Sequence, residues 1–264
     1  MISKWSGPVK AFLISVIAFF ILYFGFSKVS PDIRNPEKSA VLNPIDKDFN
    51  QLALQYLDSL SSEDRSQAAL YYQQLEKAVN DSVRSLILQK ISGFWYQQGK
   101  VGLAADYARE VAKKMNSPES WSIAATNFVL ALKTTVNPLE TEKADWLSKA
   151  REGFNQAAMI DTGNVTYKVN KALLSVEFPE NGPMEGILAL RALATSYPDN
   201  ALVLYHLARL AIETNQIDRA KERLEHLLKT NPGFSRAYCL LAKIAEIEHN
   251  ENDLNRYQKK CKDE

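Results

Sequence analysis

The chain has 264 residues, enough for one or two globular units or one extended repeat array, and its 46% hydrophobic content excludes wholesale disorder. Thirty-two Lys and Arg against 31 Asp and Glu leave a net charge of +1, which excludes the strongly basic face of a general nucleic-acid binder. Two cysteines, Cys239 and Cys261, are too few for a disulfide framework.

A ten-residue tail opens the chain. Ala11 to Phe26 then carry no charge, and eleven of these sixteen residues are Phe, Leu, Ile or Val. On an insertion scale they contribute roughly −3 to −7 kcal/mol. Sixteen residues span only about 24 Å of a ~30 Å hydrocarbon core, and Lys10 and Lys28 can snorkel at the two ends. The stretch 11–27 therefore reads as one transmembrane signal-anchor helix. Gly25 and Ser27 leave the alternative of a cleaved signal peptide, although the run is longer than a usual leader core. Lys4 and Lys10 before the helix nearly balance Lys28, Arg34 and Lys38 after it, so charge hardly sets the orientation. A short tail ahead of a long body favours the tail inside and the body across. Residues 28–46, with three prolines and no helical period, read as a semi-extended tether.

From residue 47 on, amphipathic helical stretches alternate with short turns, and no glycine-rich loop is present. Residues 47–81 hold two helices, FNQLALQYLDSL and EDRSQAALYYQQLEKAV, the second capped by the turn SSED; they read as an N-terminal cap. Beyond them a period emerges. With Ala201 as place 1, Leu204, Leu207, Ala208 and Ala211 fall at 4, 7, 8 and 11, and Ala220, Leu224 and Leu227 at 20, 24 and 27. A shift of 34 finds Tyr238, Leu241, Ala242, Ala245 and Leu254 at matching places, and Pro198 and Pro232 are also 34 apart.

Upstream copies are looser. Gly99 at place 15 sets Leu88, Ile91, Ser92, Trp95, Ala104 and Ala108 at 4, 7, 8, 11, 20 and 24. Trp121, Ala124, Ala125 and Phe128 start the next copy, which resumes at Ala150, Phe154 and Ala157 after an insertion that includes TTVNPLETEK. A third copy carries Ala172 on its first helix and Gly186, Leu190 and Leu193 on its second. About four units and a partial fifth thus fill residues 82–264. Small residues at 8 and 20 let paired helices approach, while place 15 suits Gly99 and Asn215 because it needs a positive φ. Pro232 stops the second helix by barring the helical conformation at Asn231.

This pattern resembles the tetratricopeptide repeat, a 34-residue helix–turn–helix. The resemblance implies an all-α, right-handed superhelical solenoid behind one N-terminal transmembrane helix. It also implies a concave groove lined by places 2, 5, 9, 12 and 13 of the first helices. In this chain those places hold Leu202, Tyr205, Arg209, Ile212 and Glu213, then Arg236, Cys239, Lys243 and Glu246, with Val169, Leu173 and Val176 upstream and Gln89 and Tyr96 before them. Relatives that clamp chaperone carboxylates have Lys at 5 and Asn at 9, where this chain has Gln89/Gly93, Ser122/Thr126, Tyr205/Arg209 and Cys239/Lys243. That clamp is absent. An aromatic centre with a basic C-terminal end suits a peptide bearing a few acidic residues. The run GPMEGILALRALATSYPDNA, the single anchor and the closing KKCKDE resemble small membrane-anchored tetratricopeptide proteins of Bacteroidetes-type bacteria. That resemblance implies an inner-membrane protein with its repeats in the periplasm.

Catalytic signals are lacking. His206, His226 and His249 each stand alone, none at metal-ligand spacing, and no nucleophile elbow, Walker loop or dinucleotide fingerprint occurs. His206 reads as a half-exposed helix residue beside the groove. No metal, cofactor, nucleic acid or small-molecule substrate is expected, and the chain does not read as an enzyme. Asn80-Asp81-Ser82 and Asn164-Val165-Thr166 fit the N-glycosylation spacing, which matters only in a eukaryotic secretory compartment. The cysteines read as small buried hydrophobes, with one bridge open to them because they fall on two helices of one hairpin. The sequence leaves two functional classes: an adaptor or scaffold of the cell envelope, and a permanent structural subunit of a larger membrane complex.

Overall fold

The computed structural model describes residues 47–180 and 182–261. The tail, the transmembrane helix expected at 11–27 and the linker 28–46 lie outside them. Among the described residues there are twelve α-helices and no strand, and no helix is long and apolar enough to cross a membrane.

The chain divides into a unit ending at Arg65 and a unit from Ser66 onward. The first holds α1 (Lys47–Leu57) and the start of α2 (Ser62–Glu76). The expected cap forms at SSED: Ser61 Oγ accepts from the Asp64 N–H at 3.1 Å. Arg65 donates to the carbonyls of Leu57 and Asp58, fixing the turn.

The second unit holds the rest of α2 and five successive helix hairpins. These are α3 (Asp81–Gln97) with α4 (Val101–Met115), α5 (Pro118–Thr134) with α6 (Glu140–Ile160), and α7 (Val165–Glu177) with α8 (Met184–Ser196). Then come α9 (Ala201–Glu213) with α10 (Ile217–Thr230) and α11 (Ser235–Ile247) with α12 (Glu251–Gln258). Asparagines start four of the helices: Asn80, Asn164, Asn200 and Asn250 each accept a backbone N–H from the first turn of the helix that follows. The two glycosylation-like triplets are thus helix starts.

The expected close approach at places 8 and 20 is met by different means. A Cβ on Gly186 would lie 2.4 Å from the Ala172 carbonyl oxygen, so only glycine fits there. Ser92 donates to the Ala104 carbonyl at 2.7 Å, pinning α3 to α4. In the second hairpin the crossing lies at Gly153, whose Cβ would meet Ala125 and the Trp121 carbonyl oxygen at 2.9 Å. The inserted residues there lengthen α6 to 21 residues. Its added turns carry Trp146 onto Gly102, where a Cβ would lie 2.3 Å from the indole.

Gly99, Asn215 and His249 occupy the same turn in the first, fourth and fifth hairpins, with φ of 71°, 54° and 55°. In each, the following N–H reaches back five residues to a carbonyl: Lys100 to Trp95, Gln216 to Ala211, Asn250 to Ala245. His249 is thereby a turn residue. Asn231, ahead of Pro232, sits at φ −133° and ψ 71°, outside the helical region, and Tyr197 ahead of Pro198 does likewise.

Core clusters join each hairpin to the next. Val169, Ala172 and Leu190 of the third pack with Val203, Leu207 and Leu210 of the fourth. Ala208, Leu224 and Leu227 of the fourth pack with Ala237, Leu241 and Ile244 of the fifth. Tyr167, Val203 and Ala237 at place 3, and Leu174, Leu210 and Ile244 at place 10, meet the hairpin before their own. Neighbour-to-neighbour burial of this kind is how repeat arrays cohere.

Candidate functional site

The first helices α3, α7, α9 and α11 carry the residues expected to line a groove. Tyr205 is half-buried; its ring lies edge-on to His206, with centroids 5.1 Å apart, and 5.5 Å from Phe234 of the next hairpin. The Arg236 guanidinium stands 5.5 Å from the Tyr205 centroid and 5.2 Å from that of Phe234. Arg236 and Lys243 are exposed, and among the described residues neither has a carboxylate partner. The basic C-terminal end is present in these two cations.

Arg209 is engaged within the protein. Its guanidinium pairs with Glu213 at 2.9 Å and approaches Glu177 at 3.8 Å, and Glu177 pairs with Lys133 at 2.6 Å. Charges on three successive first helices thus neutralise one another. Leu202, Leu173 and Val176 are half-buried, while Tyr96, Glu213 and Glu246 are exposed. Gln89 donates to the sulfur of Met115 at 3.7 Å.

Three expected groove residues are corrected. Val169 is fully buried and Ile212 is 7% exposed, both inside core clusters. Places 5 and 12 face the following hairpin, which covers a short aliphatic chain but not the long Tyr205. Cys239, also at place 5, is disulfide-bonded to Cys261 across the last hairpin. The expectation of two isolated hydrophobic cysteines does not hold.

His206 is more enclosed than a surface helix residue. Its Nδ1 is buried without a hydrogen-bond partner. Burial first, then the Arg209 and Arg236 guanidiniums, lower its pKa to about 4. The imidazole is neutral through the physiological range. His226 meets Asp199 at 2.7 Å on the surface. Among the described residues no cluster of His, Cys, Asp and Glu is placed to hold a metal ion.

A shallow depression of about 440 Å³ opens on the same face, lined by Glu119, Ser122, Ile123, Thr126 and Asn127 of α5 and Tyr167 of α7. The Tyr167 hydroxyl donates to Glu119 at 3.3 Å, and burial followed by the Glu119 charge raises its pKa. Thr126 is turned to the Ser122 carbonyl at 2.8 Å. Among the described residues the Asn127 amide has no hydrogen-bond partner, and Ile123 is 58% exposed. Sequence reasoning met Ser122 and Thr126 only as departures from a clamp. Two small polar residues one turn apart, followed by Ile123 and Asn127, were the signal available for this depression.

Residues 185–244 match the family model described as Tetratricopeptide repeat, and the chain carries repeats of that kind. MamA is similar in structure, at 19% identity over 64% of this chain and 91% of that one, with a TM-score of 0.41. MamA from Desulfovibrio magneticus RS-1 shares 13% identity over 67% of this chain and 92% of its own, with a TM-score of 0.42. YrrB, described as a TPR protein with an unusual peptide-binding site, shares 10% identity over 67% of this chain and 84% of its own, with a TM-score of 0.37. No curated protein matches the chain.

Proposed function

We propose that this tetratricopeptide-repeat protein is a membrane-tethered scaffold of the bacterial cell envelope that binds a segment of a partner protein along its first helices. One observation carries the reading: Arg236 is held over Tyr205 and Phe234 and meets no carboxylate among the described residues, so a planar cation waits beside two rings. A partner carboxylate there completes a charge-assisted hydrogen bond. Lys243 on the same helix extends the basic surface. The Asn127 amide in the α5 depression, without a partner among the described residues, offers both a donor and an acceptor to an extended backbone. The anchor at 11–27 and the tether 28–46 hold the repeats off an inner membrane, on its periplasmic side.

The test is capture from the native host. The full chain and a Tyr205→Ala/Arg236→Ala variant are cross-linked and purified side by side, with helicity compared by circular dichroism. Loss of the partners from a variant of unchanged helicity supports the reading; an unchanged partner set removes it. Topology is tested by adding protease to sealed spheroplasts. Digestion of the repeats places them outside, and protection until lysis places them in the cytoplasm.

A second reading, a permanent subunit of a membrane complex, is favoured by α8, which exposes Met184 at 56% and Leu188 at 54% one turn apart. It predicts that residues 47–264 made alone aggregate, because obligate interfaces are more apolar. A monodisperse fragment in sedimentation contradicts it.

A further inference from the structure

The last hairpin lacks what holds the one before it. In the fourth hairpin, α10 buries Ala220, Leu224 and Leu227 completely. The equivalent residues, 34 further on, are Leu254, Gln258 and Cys261. Helix α12 is only eight residues long and none of them is buried. Cys261 therefore stands where Leu227 stands one repeat earlier, and a covalent bond to Cys239 on α11 takes the place of a buried side chain. Beyond that bond α12 contributes one half-buried side chain, Tyr257, to the edge of the core cluster formed by the fourth and fifth hairpins. Tyr257 faces Tyr238 at 6.4 Å between centroids, Lys260 lies 5.0 Å from the Tyr238 ring, and Lys221 pairs with the exposed Glu248. A helix this short does not persist on its own in water.

We propose that Cys239–Cys261 is a redox-operated clasp. Intact, it keeps α12 docked on α11; reduced, it releases residues 249–261 while the hairpins before them stay folded. Both cysteines are partly exposed, so a reductant reaches them. The reaction is exchange with a dithiol. One thiolate of the dithiol attacks a cysteine sulfur, the S–S bond breaks, and the departing cysteine thiolate takes up a proton. The second thiol then resolves the mixed disulfide, leaving two cysteine thiols and an oxidised reductant, with two electrons transferred. The closed form belongs to an oxidising compartment, where such bonds persist. Opening frees Tyr238 from Tyr257 and Lys260 on the helix that also carries Arg236 and Lys243, so the redox state sets the form of the basic end.

Hydrogen exchange by mass spectrometry on the full chain in detergent tests this, before and after dithiothreitol, with a Cys239→Ser/Cys261→Ser variant in parallel. Reduction is expected to speed exchange in 249–261 on the order of a hundredfold and to leave α9 and α10 unchanged. The double variant is expected to exchange quickly in both conditions. Three results overturn the clasp: unchanged protection of 249–261 after reduction; equal acceleration of α9 and α10; or alkylation of both cysteines in protein isolated without reductant.

Discussion

The Arg209 guanidinium lies 2.9 Å from Glu213 on its own helix and 3.8 Å from Glu177 on the preceding first helix. A cation held this way satisfies its own neighbours before it meets a ligand. Arg236, by contrast, is stacked on rings and meets no carboxylate among the described residues. Arg236→Ala is therefore expected to weaken partner capture more than Arg209→Ala. Removing Arg209 is expected to cost at most about 1 kcal/mol of stability, since Glu213 is solvent-exposed and the half-buried Glu177 keeps Lys133 as a partner. Denaturant unfolding and quantitative co-purification of both variants check the pair. Greater loss of capture from Arg209→Ala would mean that its ion pairs open on binding.

Gly186→Ala is expected to destabilise the second unit by roughly 1–3 kcal/mol. The added methyl would meet the Ala172 carbonyl at 2.4 Å and Val176 Cγ2 at 2.6 Å, so α7 and α8 must separate. The midpoint of urea unfolding reports the change. Gly93→Ala is the control, because nothing lies within 4 Å of a Cβ there.

Asp106 links the backs of α4 and α6. Lys149 meets it at 2.6 Å and Asp145 at 2.7 Å, with the adjacent Arg109–Glu152 pair at 2.7 Å. Burial nonetheless outweighs the attraction of Lys149 and raises the Asp106 pKa from 3.8 to about 6. The folded chain then binds the extra proton between these values. This contribution is fully present below 3.8 and is lost as pH rises through about 6. Between pH 7 and pH 5 the wild type is expected to gain about 1 kcal/mol relative to Asp106→Asn. Parallel thermal melts at the two values test it. A constant difference between the two proteins would show that Asp106 stays ionised.

His249 adopts a φ of 55° in the turn where Gly99 adopts 71°. His249→Gly is expected to raise the stability of the oxidised protein by roughly 0.5–1 kcal/mol, because glycine reaches that region without a Cβ clash. A lower Tm would assign the imidazole a contact that outweighs the backbone.

Ala208 and Ala220 announced the hairpin because close helix packing admits few side chains, and such a constraint is written locally. Pro198 and Pro232 marked its ends for the same reason. The faces at places 3 and 10 were not legible, since which surface of Tyr167 or Leu210 is covered depends on the neighbouring hairpin. Val169 and Tyr205 share place 5, yet one is core and the other reaches past it; side-chain length against a partner helix decides, and spacing alone does not. The insertion before Ala150 appeared as a gap and is in fact added helix that seats Trp146 on Gly102. Spacing put Cys239 and Cys261 on one hairpin, but their bond became evident only once α12 proved too short to bury a core.

The proposed function makes the first-helix face the working surface. A photo-activated crosslinking residue placed singly at Ser122, Arg236, Leu188 and Lys229 in the native host tests it most directly. Adducts with one common partner are expected from Ser122 and Arg236, on α5 and α11, and none from Leu188 or Lys229. Adducts confined to Leu188 or Lys229 would contradict it, and would move the partner to the second helices.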